Sequence, residues 1–146
     1  MYKKRQRIKK DGIRVRLRGL KLERKRKFER VIETDSGVMV RSKYERVCAN
    51  YLHKRNIRFQ YEPLMLLDGR KFRPDFFLPD HNTFIEICGY GHMPHYNSRV
   101  SDKVKLYEKY ELKAIFIHHR GSGSLRAKIE SALVEAGVMD DDRDVS

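Results

Sequence analysis

A chain of 146 residues with two cysteines and a formal charge of +13 has the size of one domain with tails. Two cysteines make a poor disulfide framework and fit a reducing, cytoplasmic setting. No apolar run approaches the roughly 18 residues of a membrane span, and the first residues lack the apolar stretch of a signal peptide.

The charge is concentrated at the start. Residues 1–30 carry 15 Lys and Arg against 3 acids, and the rest of the chain carries 18 against 17. The first 35 residues are therefore expected to form a basic arm, with Lys3, Lys4, Arg5, Arg7, Arg14, Arg16 and Arg18 as its candidate nucleic-acid contacts. A block of this density is either a solvated tail or a polyanion-binding arm. Counterion release on phosphate neutralisation favours nucleic acid, and a membrane surface or an acidic protein is the alternative partner. Arginines alternate with Ile13, Val15, Leu17 and Leu20, which hints at a short strand or at packing against the domain.

Beyond the arm a domain is expected over residues 36–138, then an acidic tail with nothing to bury over 139–146. "FERVIETDSG" suggests a short helix ending before Gly37, and "VMV" an edge strand. "RSKYERVCANYLHKRN" predicts a helix: Ser42 is an N-cap, Glu45 follows three residues on, and Tyr44, Val47, Cys48, Tyr51 and Leu52 fall on one face. Three extended segments follow: "IRFQYEPLMLL", bending at Pro63 and turned at Asp68-Gly69; "KFRPDFFLP", turned at Asp80-His81-Asn82; and "TFIEIC", ended by Gly89. "NSRVSDKVKLYEKYE" has Val100, Val104 and Tyr107 at helical spacing, "LKAIFIHH" is an apolar strand, and "GSGSLRAKIESALVEAG" is a capped helix closing at Gly137. Tight turns predict an antiparallel meander, and the longer connection before the last strand allows a parallel crossover. The expected fold class is α/β, with a mixed sheet of about four strands flanked by helices.

The charges that do not fit this pattern are Asp75 and Glu86. If their strands pair across "LPDHN", the two carboxylates lie near opposite one another, where like charges repel. A cation between them removes the conflict, and oxygen ligands favour a hard one, Mg²⁺ or Mn²⁺. Such an ion meets two needs of phosphodiester hydrolysis. The plainer alternative pairs Glu86 with a lysine or arginine and uses Asp75 to cap a turn.

"SKYERVCANYL", "FQYEPL", "RPDFFLP" and "FIEICGYGH", spanning about residues 42–118, together resemble the PD-(D/E)xK nuclease superfamily. "IEICGYGH" is similar to the Glu-x-Asp-Gly-x-x-His ending of proteins related to very-short-patch repair endonucleases. "YEPL", "PDFFLP" and "IEICG", with Tyr96, Lys103 and Tyr107 spaced behind them, resemble nuclease domains attached to some DNA helicases.

The resemblance implies a restriction-endonuclease-like core in the order α-β-β-β-α-β and Mg²⁺-dependent endonucleolytic hydrolysis of DNA. Asp75 and Glu86 match the metal ligands, the Ile87 carbonyl the main-chain ligand, and Glu45 the helix acid that completes the metal shell or holds a water. Glu45 has a second role open to it, as the third residue of a capping box with Ser42. The pattern's lysine is replaced by Cys88, and a neutral thiol supplies no positive charge to the developing anion. Lys103 from the following helix is the expected substitute, with Lys105 its rival.

His92 is either a proton relay or phosphate contact, or a residue that hydrogen-bonds a loop carbonyl. Cys88, His92 and His95 match zinc poorly because no fourth ligand is near. A double-strand cut by so small a domain needs two copies or two binding events, which admits a homodimer. The alternative function is a nuclease-like protein that binds DNA without cutting it. An RNA-directed protein is the third reading, less favoured because no RNA module or aromatic platform is recognisable.

Overall fold

The structure is a computed structural model that describes residues 29–89 and 94–141, excepting the side chains of 94–97. The basic strings at the N-terminus, with Lys3, Lys4, Arg5, Arg7, Arg14, Arg16 and Arg18, lie outside the described residues, as do His92 and the side chains of His95 and Tyr96.

The first described element differs from expectation. Residues Ile32–Glu33 (β1) pair antiparallel with Met39–Val40 (β2) instead of forming a helix. β-Branched Val31 and Ile32 disfavour a helix, while Thr34 closes the hairpin with its Oγ1 on the Val38 carbonyl at 2.6 Å and Gly37 supplies a φ of 91°. The hairpin straddles residue 35, so ordered structure begins within the segment assigned to the arm.

Ser42 caps Lys43–Lys54 (α1), its side chain accepting the Glu45 N–H at 3.1 Å. The helix ends at Asn56 in the left-handed region (φ 58°), with the Ile57 N–H on the Leu52 carbonyl at 2.9 Å. Cys48, Ala49, Tyr51 and Leu52 form its buried face.

Next come Gln60–Tyr61 (β3), Met65–Leu67 (β4), Arg70–Phe72 (β5), Phe76–Leu78 (β6) and Thr83–Cys88 (β7). Pro94–Lys109 (α2), Lys113–His118 (β8) and Leu125–Glu135 (α3) complete the order. The main sheet is mixed and runs β3-β6-β7-β8, with β3, β6 and β7 antiparallel and β8 parallel to β7. The molecule is thus mixed α/β, with three helices among the described residues, and none of these helices is long and apolar enough to cross a membrane.

The expected long strands are each broken in two. "IRFQYEPLMLL" gives β3 to the main sheet and β4 to a separate hairpin with β5, closed at Asp68-Gly69 as expected. "KFRPDFFLP" likewise divides into β5 and β6. Pro63 and Pro74 sit at the two breaks and donate no ladder hydrogen bond, and Glu62 turns the chain with a φ of 48°. The β4–β5 hairpin is thereby an excursion between two neighbouring strands of the main sheet.

β7 is central, and all six of its residues are buried. Ile85 and Ile87 join Phe76, Leu78, Ile115 and Ile117 in a core shared with α1 and α3. The other face of β7 carries Phe84, Glu86 and Cys88 toward α2, where the Tyr107 ring meets Phe84, Phe116 and Phe72.

Candidate active site

The β6–β7 register pairs Phe76 with Ile85, Phe77 with Phe84 and Leu78 with Thr83. Continued by one residue, it sets Asp75 opposite Glu86 on the α2 face, as the spacing predicts. Both lie at the end of the sheet where β7 finishes and β6 begins.

Glu86 is 3% exposed and fully engaged. Lys103 Nζ reaches its Oε1 at 2.8 Å, and the Tyr107 hydroxyl donates to its Oε2 at 2.6 Å. Lys103 and Tyr107 are four residues apart on α2, so both side chains leave the same helix face. The plainer expectation of a basic partner for Glu86 therefore holds in this structure. Burial draws the Lys103 pKa down, but the charge and hydrogen bond of Glu86 outweigh it and the net shift is upward, so Lys103 stays an ammonium. Burial, then Glu86, raise the Tyr107 pKa, keeping its proton on the bond.

Asp75 is less well compensated. Its Oδ2 accepts the Ile87 N–H at 2.7 Å, tying β6 to β7 just past their ladder. Burial and the Glu86 charge nevertheless raise its pKa well above the ordinary carboxylate value, with the Ile87 bond pulling the other way and Glu45 adding to the rise. Cys48 on α1 is pushed up by burial, then by Asp75 and Glu45.

Glu45 lies on the same side of Asp75. Its Oε1 accepts from the Tyr61 hydroxyl at 2.8 Å and from the Arg41 N–H at 3.1 Å. The Glu45 main chain uses Ser42 as a cap, while its carboxylate holds the residue before the cap, a variant of the expected box that leaves it beside Asp75. Tyr61 carries no sequence signal beyond a hydroxyl on a ring otherwise suited to the core, which needs a buried partner; Tyr107 is marked in the sequence by its place four residues after Lys103, but not as a partner of Glu86.

Cys88 follows on the Glu86 face and is 3% exposed. Burial and the two carboxylates push its thiol up to about 12, so it is neutral at pH 7. With Glu86, Arg99, Val100, Lys103 and Phe116 it lines a pocket of about 220 Å³. Lys105 is exposed and lines a neighbouring groove, so the lysine brought to the acids is Lys103. His118 is exposed at the end of β8, and His119 is buried between the Tyr44 ring and the Lys128 ammonium, away from the acids. Gly89 admits the edge of Tyr44: a Cβ there would lie 2.9 Å from the ring.

The carboxylate oxygens of Asp75 and Glu86 are the donor type that a hard divalent cation prefers. Burial, and after it the charge of Glu86, raises Asp75, and the second of these is a charge conflict that such an ion would remove. In the conformation described, no three of the Asp, Glu, His and Cys side chains converge in metal-holding geometry among the described residues. Both Glu86 oxygens are taken, and the Lys103 ammonium occupies the place of a cation. No family model matches the chain, and no curated protein or solved structure gives a significant match.

Proposed function

We propose that the chain is a metal-dependent endonuclease that hydrolyses phosphodiester bonds in DNA, built on a restriction-endonuclease-like core. The observation that carries the reading is the pair Asp75 and Glu86, opposed across β6 and β7 at one end of the sheet, with an ammonium from α2 on Glu86. The order helix, meander, helix, parallel strand agrees with the core that the motif resemblance implies.

Asp75, Glu86 and the Ile87 carbonyl would hold Mg²⁺ or Mn²⁺, which supplies polarisation of the phosphoryl oxygen and a water of lowered pKa. Tyr107 retains Glu86 Oε2 and so fixes the rotamer of the carboxylate. Lys103, released from Oε1, turns its charge toward the anionic phosphate. Glu45, held by Tyr61 and the Arg41 N–H, faces Asp75 and orients water. Cys88 keeps its proton and takes no part in transfer. His92, four residues after the end of β7 in sequence, would be the proton relay to the leaving oxygen. Two copies acting together would account for cutting both strands.

The full engagement of Glu86 by Lys103 and Tyr107 favours a second reading, a DNA-binding protein in which the ion pair is structural. Cleavage of closed-circular DNA in Mg²⁺ or Mn²⁺ separates the two. The endonuclease predicts nicking that falls at least about 10²-fold in Asp75→Asn, Glu86→Gln and Lys103→Ala, with folding intact. Binding without cutting, unchanged by these substitutions, sinks it in favour of the second reading.

A further inference from the structure

Two basic surfaces flank the acid cluster, one on each side. The first surrounds Glu62. Arg30 reaches Glu62 Oε1 at 2.9 Å, Arg41 Nε reaches both oxygens at 3.0 Å, and Arg73 donates to the Glu62 carbonyl at 3.1 Å. The three guanidinium groups, with Glu29, line an open depression of about 700 Å³. Glu62 adopts a φ of 48°, a conformation uncommon for a residue with a side chain, and there its carboxylate gathers arginines from the N-terminal hairpin, the start of α1 and the approach to β6. The Glu62 N–H bonds the Asp75 carbonyl at 3.0 Å, so this surface abuts the Asp75 side of the site.

The second surface lies on the Glu86 side, between the β4–β5 hairpin and α2. It is a groove of about 460 Å³ with Arg70, Lys71, Lys103, Lys105 and Lys109 on its walls against Asp68 and Asp102, five cations to two acids. Lys71 and Lys105 are exposed and make no ion pair among the described residues. Leu67, Phe72 and Leu106 line the same groove, and Phe72 anchors the hairpin against the Tyr107 ring at 5.9 Å. Lys103 belongs both to this groove and to the smaller pocket at Glu86 and Cys88.

Contacts thus run from Arg30 and Arg41 through Glu62 to Asp75, whose carboxylate accepts the N–H of Ile87, the residue after Glu86, and from Glu86 to Lys103 and the groove. We infer that these two surfaces are the two ends of one phosphate track, so that the folded domain grips a DNA strand on both sides of the acid pair. The inference rests on the proposed function for its ligand. It adds that the bond to be cut is internal to the gripped strand, which is held through its phosphates on both sides. The acids alone would repel the ligand; cations on both sides offset this and hold the strand across them.

Binding tests the track without requiring cutting. The full chain is titrated with closed-circular duplex DNA in EDTA over a range of salt, alongside Lys71→Ala/Lys105→Ala, Arg30→Ala/Arg73→Ala and the four-fold combination. Arg126→Ala, an equal kind of charge loss on α3 against the opposite face of the sheet, is the control. Each residue that meets a phosphate lowers the salt slope by about one, so each pair should lower it by about two, the pairs should add, and Arg126→Ala should change nothing. If Arg30→Ala/Arg73→Ala melts early, Arg73→Ala alone replaces it, since Arg73 is exposed and holds only a carbonyl. An unchanged slope in either folded variant, or an equal loss in the control, overturns the track. A chain that binds through both ends but cuts nothing in Mg²⁺ leaves the track standing and removes the nuclease reading.

Discussion

The two faces of β7 are built to opposite rules from alternate residues of one strand. Ile85 and Ile87 enter a hydrophobic core between the sheet and the α1 and α3 helices, among Cys48, Leu52, Phe76, Leu78, Ile115 and Ile129. Phe84, Glu86 and Cys88 face α2, where a buried carboxylate is held by a lysine and a tyrosine inside a frame of aromatic rings. The first face gains stability with each methylene buried. The second holds charge that an apolar isostere would replace without loss of stability, so its stability is spent on geometry.

The contrast breaks most sharply at Ile85. It is fully buried, and Ile85→Ala should cost about 2–5 kcal/mol from lost burial and the cavity left behind, measured by chemical denaturation. A cost well under this would mean that the apolar face is not the stabilising one.

Across the strand, Tyr107→Phe removes one hydroxyl and no ring. The loss should be about 1–3 kcal/mol, because Glu86 Oε2 stays buried without its partner. Under the proposed endonuclease reading, hydrolysis should fall as well, since the carboxylate is then held only by Lys103. A variant as stable as the parent would show that water reaches Glu86.

Asp75→Asn should shift stability in the opposite direction, and by less. The raised Asp75 pKa means that the folded chain holds this proton more tightly than the unfolded chain. Its stabilising contribution is present below the ordinary carboxylate pKa and is lost as pH rises through the raised value. The metal-free parent should therefore weaken relative to Asp75→Asn as pH rises above the ordinary carboxylate range, and Mg²⁺ should restore the parent alone. Thermal melts at several pH values, with and without Mg²⁺, read this directly. Equal melting curves for parent and variant at all pH values would remove the charge conflict on which the metal site is argued.

The helices and the main-sheet register were legible because their signals are local: Ser42 three residues before Glu45, apolar spacing from Tyr44 to Leu52, and tight turns between extended runs. The opposition of Asp75 and Glu86 followed from that register alone. What was not legible depends on breaks and on distant partners. A strand interrupted at Pro63 or Pro74 has the same alternation as an unbroken one, so the β4–β5 excursion was hidden inside two longer strands. "FERVIETDSG" has enough charge and apolar spacing to suggest a helix, but the partner that makes Ile32–Glu33 a strand is Met39–Val40, beyond the turn. Glu62 had no sequence signal at all, since its three arginines come from positions 30, 41 and 73.

The smallest expected effect falls on Cys88, and it decides which residue carries the positive charge. The thiol is neutral, buried and pushed up to about 12, so it contributes packing and no charge. Cys88→Ala should cost about 1 kcal/mol, the scale of one small buried group; under the proposed endonuclease reading it should leave hydrolysis in Mg²⁺ unchanged, whereas Lys103→Ala should lower it at least about 10²-fold. The two substitutions alter adjacent walls of one pocket, so a general disturbance of that pocket would lower both activities together. If Cys88→Ala proved as damaging as Lys103→Ala, the ammonium at Glu86 would be a structural counter-ion and the charge needed at the phosphate would have to come from elsewhere.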